Sequence, residues 1–180
     1  MLVLRDVVVP VDFEPASYHA LAYARELAAA FAARLHLLHV LDDAFALPGG
    51  TEGALSEFPQ MRRYKEQEVR ERLNDLLTAD DRKAGAHITV RLSPSPAASI
   101  VAYAEQVQAS AIVMGTHGCI DKPMGSAMGS VAEQVLRTAP CPVMVMRRHP
   151  QEALIRMGQE SKAAEGTGVT PAQATTPGSR

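Results

Sequence analysis

Five short apolar runs, at residues 7–11, 35–40, 88–92, 111–114 and 143–146, alternate with four stretches of helical periodicity. That order, β-α-β-α-β-α-β-α-β, leaves few folds open. Strands that are apolar along their whole length are buried on both faces, so the pattern specifies an α/β chain: a parallel sheet with helices on both faces. In doubly wound sheets, ligands bind beyond the carboxyl ends of the strands, where the winding direction reverses. Asp12 closes the first run and Gly115 the fourth. If those two strands are neighbours, both residues line one crevice.

The helical stretches carry their own punctuation. Glu14-Pro15-Ala16-Ser17 places a proline at a helix start, where its missing N–H has no intrahelical partner to lose. Ala20, Leu21, Ala24, Leu27, Ala28 and Phe31 then fall on one face. A charged amphipathic helix is expected over 61–77, with Val69, Leu73 and Leu76 inward and Glu66/Arg70 and Glu68/Arg72 as i,i+4 pairs. Ser95-Pro96 reads as an N-cap and N1 proline for a helix through Ile100, Ala104 and Val107. The last helix is expected over 131–138. Between 43 and 58 the periodicity fails at Pro48-Gly49-Gly50 and Gly53, an irregular connection of the length that often covers a functional site.

The densest signal lies in 111–146, where Gly115-Thr116-His117-Gly118 follows the fourth strand and Gly129-Ser130 opens the last helix. Glycine tolerates positive φ and carries no Cβ, so such a loop turns backbone N–H groups toward an anion of phosphate size. Ser130 and Glu133 also match S-x-x-E, a capping box that would commit the serine to its own helix. Neither G-x-G-x-x-G nor GK[ST] occurs, which excludes the dinucleotide fingerprint and the P-loop. Asp12 reads as an acid capping the turn after its strand, or as a carboxylate accepting both hydroxyls of a ribose. His39, on a buried strand, is expected to be a satisfied core histidine. His117, Cys119 and Asp121 alternate within the glycine loop, far short of a zinc signature. Cys141, between two prolines, is expected to be an inert thiol.

Composition removes other classes. Net charge is −2, aromatics are scarce and tryptophan is absent, so nothing draws the chain to nucleic acid or an anionic membrane. Two cysteines suit a reducing compartment. No apolar run approaches the roughly 20 residues of a membrane span. The opening MLVLRDVVVPVD, with Arg5 and Asp6 inside its apolar run, does not read as a signal peptide. A cytoplasmic location is expected. The domain is expected over 1–148, followed by an extension, 149–180, with a short helix within 151–165 and a mobile tail of Gly, Thr, Pro and Ala.

These residues together resemble the universal stress protein family. GTHG with GSVAEQVLRTAPCPVMV carries the resemblance, beside VVVPVDFEPAS at the first strand and LHLLHVLD at the second, over residues 3–147. The resemblance implies an adenine nucleotide alpha hydrolase-like sheet of five parallel strands and a homodimer paired through the last strand. In one branch of the family it also implies ATP binding with Mg²⁺. By position, Asp12 would hold the ribose hydroxyls, and Pro10, Val11 and Val40 would flank the adenine. Met114 and Gly115 would lie under the nucleoside, and Gly118, Gly129, Ser130 and Val131 would take the phosphates.

The family pattern is G-x2-G-x9-G-[ST], whereas ten residues separate Gly118 from Gly129 here. Pro123 stiffens the span, Cys119 stands where the family often has a basic residue, and Lys122 is the cation left. The longer spacer favours an alternative, a nucleotide-free dimeric module whose 43–58 loop and tail engage a protein partner of unknown identity. A thiol sensor built on Cys119 is a third reading. No G-x-S-x-G, H-E-x-x-H or S-G-G-x-D-S motif is present, so rapid turnover is not expected. The expected role is a ligand-stabilised conformation that a partner reads, with slow ATP hydrolysis at most.

Overall fold

The computed structural model describes residues 3–46, 52–54, 58–116 and 129–147. In chain order the elements are β1 (Asp6–Pro10), α1 (Pro15–Phe31), β2 (Arg34–Leu41), β3 (Ala44–Ala46), β4 (Glu52–Ala54), α2 (Pro59–Leu76), α3 (Ala79–Lys83), β5 (His87–Leu92), α4 (Pro96–Gln106), β6 (Ala111–Thr116), α5 (Ser130–Thr138) and β7 (Val143–Arg147). The main sheet has five strands in the order β5-β2-β1-β6-β7, and every pair in it is parallel. The winding direction therefore reverses between β1 and β6. Their ladder consists of Val7 opposite Ala111 and Val8 opposite Ile112. Beyond those pairs the two strands part.

The continuous apolar runs are explained by burial on both faces. Successive residues of a strand point to opposite sides. Val7, Val9, Leu35, Leu37 and Val113 pack against Ala20, Leu21 and Ala24 of α1 and Leu73 of α2. Val8, Leu38, Ile112 and Met114 pack on the other side against Ile100 and Ala104 of α4 and Val135 of α5.

The structure departs from the sequence reading in four places. The irregular connection at 43–58 contains a two-stranded antiparallel sheet, with Ala44 opposite Ala54 and Ala46 opposite Glu52. The Pro48-Gly49-Gly50 break falls between these strands, outside the described residues. A short helix, α3, follows α2. It starts on a capping box in which Thr78 Oγ1 accepts the Asp81 amide at 3.1 Å and Asp81 Oδ2 accepts the Thr78 amide at 2.9 Å. On α2, Glu66 pairs with Arg62 at 2.7 Å and Glu68 with Lys65 at 3.0 Å, rather than with Arg70 and Arg72. Ser95 is the N-cap of α4 by position but its hydroxyl makes no cap bond. The Ser93 hydroxyl accepts the Ser95 amide instead, at 3.1 Å. The extension beyond 148 lies outside the described residues. Among the described residues no helix is long and apolar enough to cross a membrane.

At the amino ends of the strands lies a buried polar chain. Asp6 Oδ1 accepts from His36 Nε2 and from the Arg34 guanidinium, each at 2.9 Å. Tyr103 donates to His36 Nδ1 at 3.1 Å, and the Thr89 hydroxyl donates to the Tyr103 oxygen at 2.9 Å. With His36 neutral and its hydrogen on Nε2, each proton in this chain has a place. Burial holds the imidazole pKa below its ordinary 6.5, against the opposing pull of Asp6, while neighbouring His87 and Arg34 push the same way as burial. The unfolded chain therefore binds this proton more readily than the native one, and stability falls as pH drops from above 6.5 through the lowered native value. Urea unfolding at about pH 7.5 and about pH 5.5 should show the loss, and His36→Gln should reduce the difference between the two. Equal pH dependence in both proteins would dismiss the assignment.

Candidate functional site

Where β1 and β6 part, a cavity of about 320 Å³ opens at the carboxyl edge of the sheet. Pro10, Val11 and Asp12 reach it from β1, Val40 from β2, Met114 and Gly115 from β6, and Gly129, Ser130 and Val131 from the start of α5. These are nine of the ten residues that the family resemblance named. The tenth, Gly118, lies outside the described residues. So do His117, Cys119, Asp121, Lys122 and Pro123.

Gly115 is at this point for a steric reason. A Cβ built on it would lie 2.5 Å from the Ala16 carbonyl carbon, 2.6 Å from its oxygen and 2.7 Å from the Ser17 nitrogen. The first turn of α1 thus rests directly on β6. The buried Ser17 hydroxyl, which also lines the cavity, donates to the Glu14 carbonyl at 2.9 Å and keeps that turn closed.

Asp12 serves its own turn and faces the cavity as well. Its Oδ1 accepts the Glu14 amide at 3.0 Å, and an ionised carboxylate has further lone pairs. The two readings of this acid are therefore compatible. His39 is half-buried, as a core histidine would be, but it also borders the cavity. Its Nδ1 donates to the Val11 carbonyl at 2.6 Å, and burial pushes its pKa down.

At the other end of the cavity the capping box is not formed. Gly129 is the N-cap of α5, Ser130 is the first helical residue, and no side chain caps the helix. Glu133 pairs with Arg137 at 2.7 Å. Ser130 is exposed, and the amides of the first helical turn have no acceptor within the helix. The Gly129 amide donates to Thr116 Oγ1 at 3.0 Å, and Thr116 is almost wholly buried. The two ends of the long span are joined there. Thr116, Ser17 and His39 were missed as cavity residues, although a hydroxyl just after the strand-end glycine was a usable signal for the first.

Comparison with known proteins identifies the family. The sequence model of the universal stress protein family matches residues 4–147. The chain belongs to that family. Universal stress protein MJ0531 of Methanocaldococcus jannaschii is 30% identical over 148 residues, covering 82% of this chain and 85% of its own. The structure of UspA from Lactobacillus plantarum is 25% identical, with a TM-score of 0.60 over 81% of this chain and 99% of that one. A universal stress protein solved in complex with cAMP has a TM-score of 0.56 at 23% identity, covering 82% of this chain and 99% of its own.

Among the described residues no group of three His, Cys, Asp or Glu is placed to hold a metal ion. Cys141 is partly buried, and burial raises its thiol pKa, which disfavours the reactive thiolate. Replacing Gly115 by Ala should force α1 off β6 and cost about 1–3 kcal/mol of stability, read from thermal or urea melts. An unchanged melt would show that the close approach is not maintained in solution.

Proposed function

We propose that this universal stress protein binds an adenine nucleotide, ATP carried with Mg²⁺, in the crevice between β1 and β6, as a ligand-dependent module of the stress response in the cytoplasm. One observation carries the reading: a single cavity has a carboxylate at one end, a helix N-terminus at the other and apolar side chains between. Asp12 would accept the ribose hydroxyls. Pro10, Val11 and Val40 would flank the base, and Met114 and Gly115 would support the nucleoside. The amides of Ser130 and Val131 would face the phosphates, where the positive end of the helix dipole favours an anion. Gly118 would complete the phosphate loop.

The fit is reasonable for the nucleotide and indirect for the metal. With no ligand cluster among the described residues, Mg²⁺ would be held chiefly by the phosphates and water, its usual mode with nucleotides. A family member solved with cAMP makes an adenine nucleotide the first ligand class to test. A nucleotide-free interaction module is the competing reading, favoured by the Gly129 amide being engaged by Thr116.

Calorimetric titration with ATP–Mg²⁺ separates them. Saturable binding is expected, with Asp12→Ala weakening it by about tenfold, the worth of a hydrogen bond to a charged group. At a hundredfold excess over Kd, ATP should stabilise the native state by about 2.7 kcal/mol. No heat and no thermal shift would favour the nucleotide-free module.

The homodimer implied by the family would use β7. This strand ends the sheet, and Met144 is 44% exposed on it. An apolar edge strand is a template for pairing with a second chain. Light scattering should give a dimer for the wild type and a monomer for Met144→Lys. A monomeric wild type would remove this part of the reading.

A further inference from the structure

The turn that carries Asp12 holds a backbone conformation that its residues do not favour. Phe13 has φ 65°, in the left-handed region that bulky side chains avoid. In that turn the Glu14 amide donates back to Asp12 Oδ1 at 3.0 Å and anchors this oxygen of the carboxylate. Something outside the turn must hold Phe13 in place.

The surroundings of its ring supply the hold. The Arg72 guanidinium of α2 lies 3.7 Å from the centre of the Phe13 ring. On β2, the His39 ring centre is 4.9 Å from it, tilted by 36°. His39 in turn donates to the Val11 carbonyl, one residue before Asp12, at 2.6 Å. The Val11 amide donates to the Leu38 carbonyl at 2.8 Å. Residues 11–14 are thus tied to β2 through Val11 and to α2 through Phe13.

We propose that Arg72, Phe13 and His39 form a clasp that positions Asp12, so that α2, an element with no residue in the cavity, sets the affinity of the site for ribose hydroxyls. The inference rests on the nucleotide reading above. Arg72 acts on the ligand through Asp12 and is a positioning residue. Without the clasp Phe13 relaxes to negative φ, the Glu14 amide turns away, and the carboxylate loses its fixed orientation. Only interactions made by Asp12 weaken.

The test compares binding of ATP and 2′-deoxy-ATP, each with Mg²⁺, to wild type, Arg72→Gln, Arg72→Lys and Asp12→Asn. Arg72 is exposed on its helix, so its variants should fold, and Phe13→Leu supplies a second route to the same loss. Wild type should prefer ATP. Arg72→Gln and Phe13→Leu should weaken ATP by about threefold to fivefold, the scale of an exposed cation–π contact, and leave 2′-deoxy-ATP nearly unchanged. Arg72→Lys, which keeps a cation over the ring, should retain most of the preference. In the Asp12→Asn background, Arg72→Gln should have no further effect, as residues acting through one contact are not additive.

Equal weakening of both nucleotides, or an unchanged ATP preference, would overturn the clasp and leave the nucleotide site standing. ATP binding without preference for the ribonucleotide would overturn both the ribose role of Asp12 and the clasp. A wild type that binds neither nucleotide would overturn the reading of the cavity and this inference with it.

Discussion

The site depends on two neighbouring strands that pair at their amino ends and then separate. β1 and β6 share a ladder of Val7 with Ala111 and Val8 with Ile112, and no further pairs. They are also the strands from which the chain departs in opposite directions across the sheet, β2 lying on one side and β7 on the other. The connections after them therefore have no reason to meet, and a gap forms at the carboxyl edge. A gap of this origin is a property of the topology rather than of the residues around it. What the residues decide is its depth, and Gly115 sets one wall by letting the first turn of α1 rest on β6.

The two ends of the sheet have opposite chemical character. At the amino ends, Asp6, Arg34, His36, Tyr103 and Thr89 satisfy one another in a closed chain, and no buried side-chain polar atom among the described residues lacks a partner. Such a network contributes to stability and to the register of three strands, but it offers a ligand nothing. At the carboxyl ends the polar groups are arranged around open space: an exposed carboxylate on one side, helix-terminal amides on the other. Polar groups closed on one another build the fold, whereas those at the carboxyl ends also border a cavity.

How much of this was legible follows from how local each signal is. The five strands and their parallel arrangement were legible because full burial demands apolar residues at every position, and that pattern survives any detail of packing. Nine of the residues named by the motif line one cavity, since glycine, proline and aspartate at strand ends have few alternatives. The charge pairs on α2 were misassigned because an exposed helix offers each glutamate basic residues on both sides, and worth of a few tenths of a kcal/mol does not choose between them. Arg72 could not be assigned from its neighbours in sequence, as its partner is Phe13. The capping box at Ser130 failed by one residue: the helix begins at Ser130, so Gly129 takes the cap position. The β3–β4 pair and the left-handed Phe13 carry no periodic signal at all.

The spacer between Gly118 and Gly129 shows why a motif count is a weaker constraint than an end-to-end contact. Lengthening a loop of about ten residues by one raises the entropy of closing it by about 0.1 kcal/mol, since the cost grows only with the logarithm of length. A single hydrogen bond between the ends is worth about 1 kcal/mol net. The bond from the Gly129 amide to the buried Thr116 hydroxyl therefore outweighs the effect of the added residue several times over. Despite the longer span, Gly115 and Ser130 border one cavity. For an anion at this end of the cavity, the consequence would be a different set of donors. With the Gly129 amide turned to Thr116, the free end of α5 begins at Ser130, and an anion would meet the first helical turn itself.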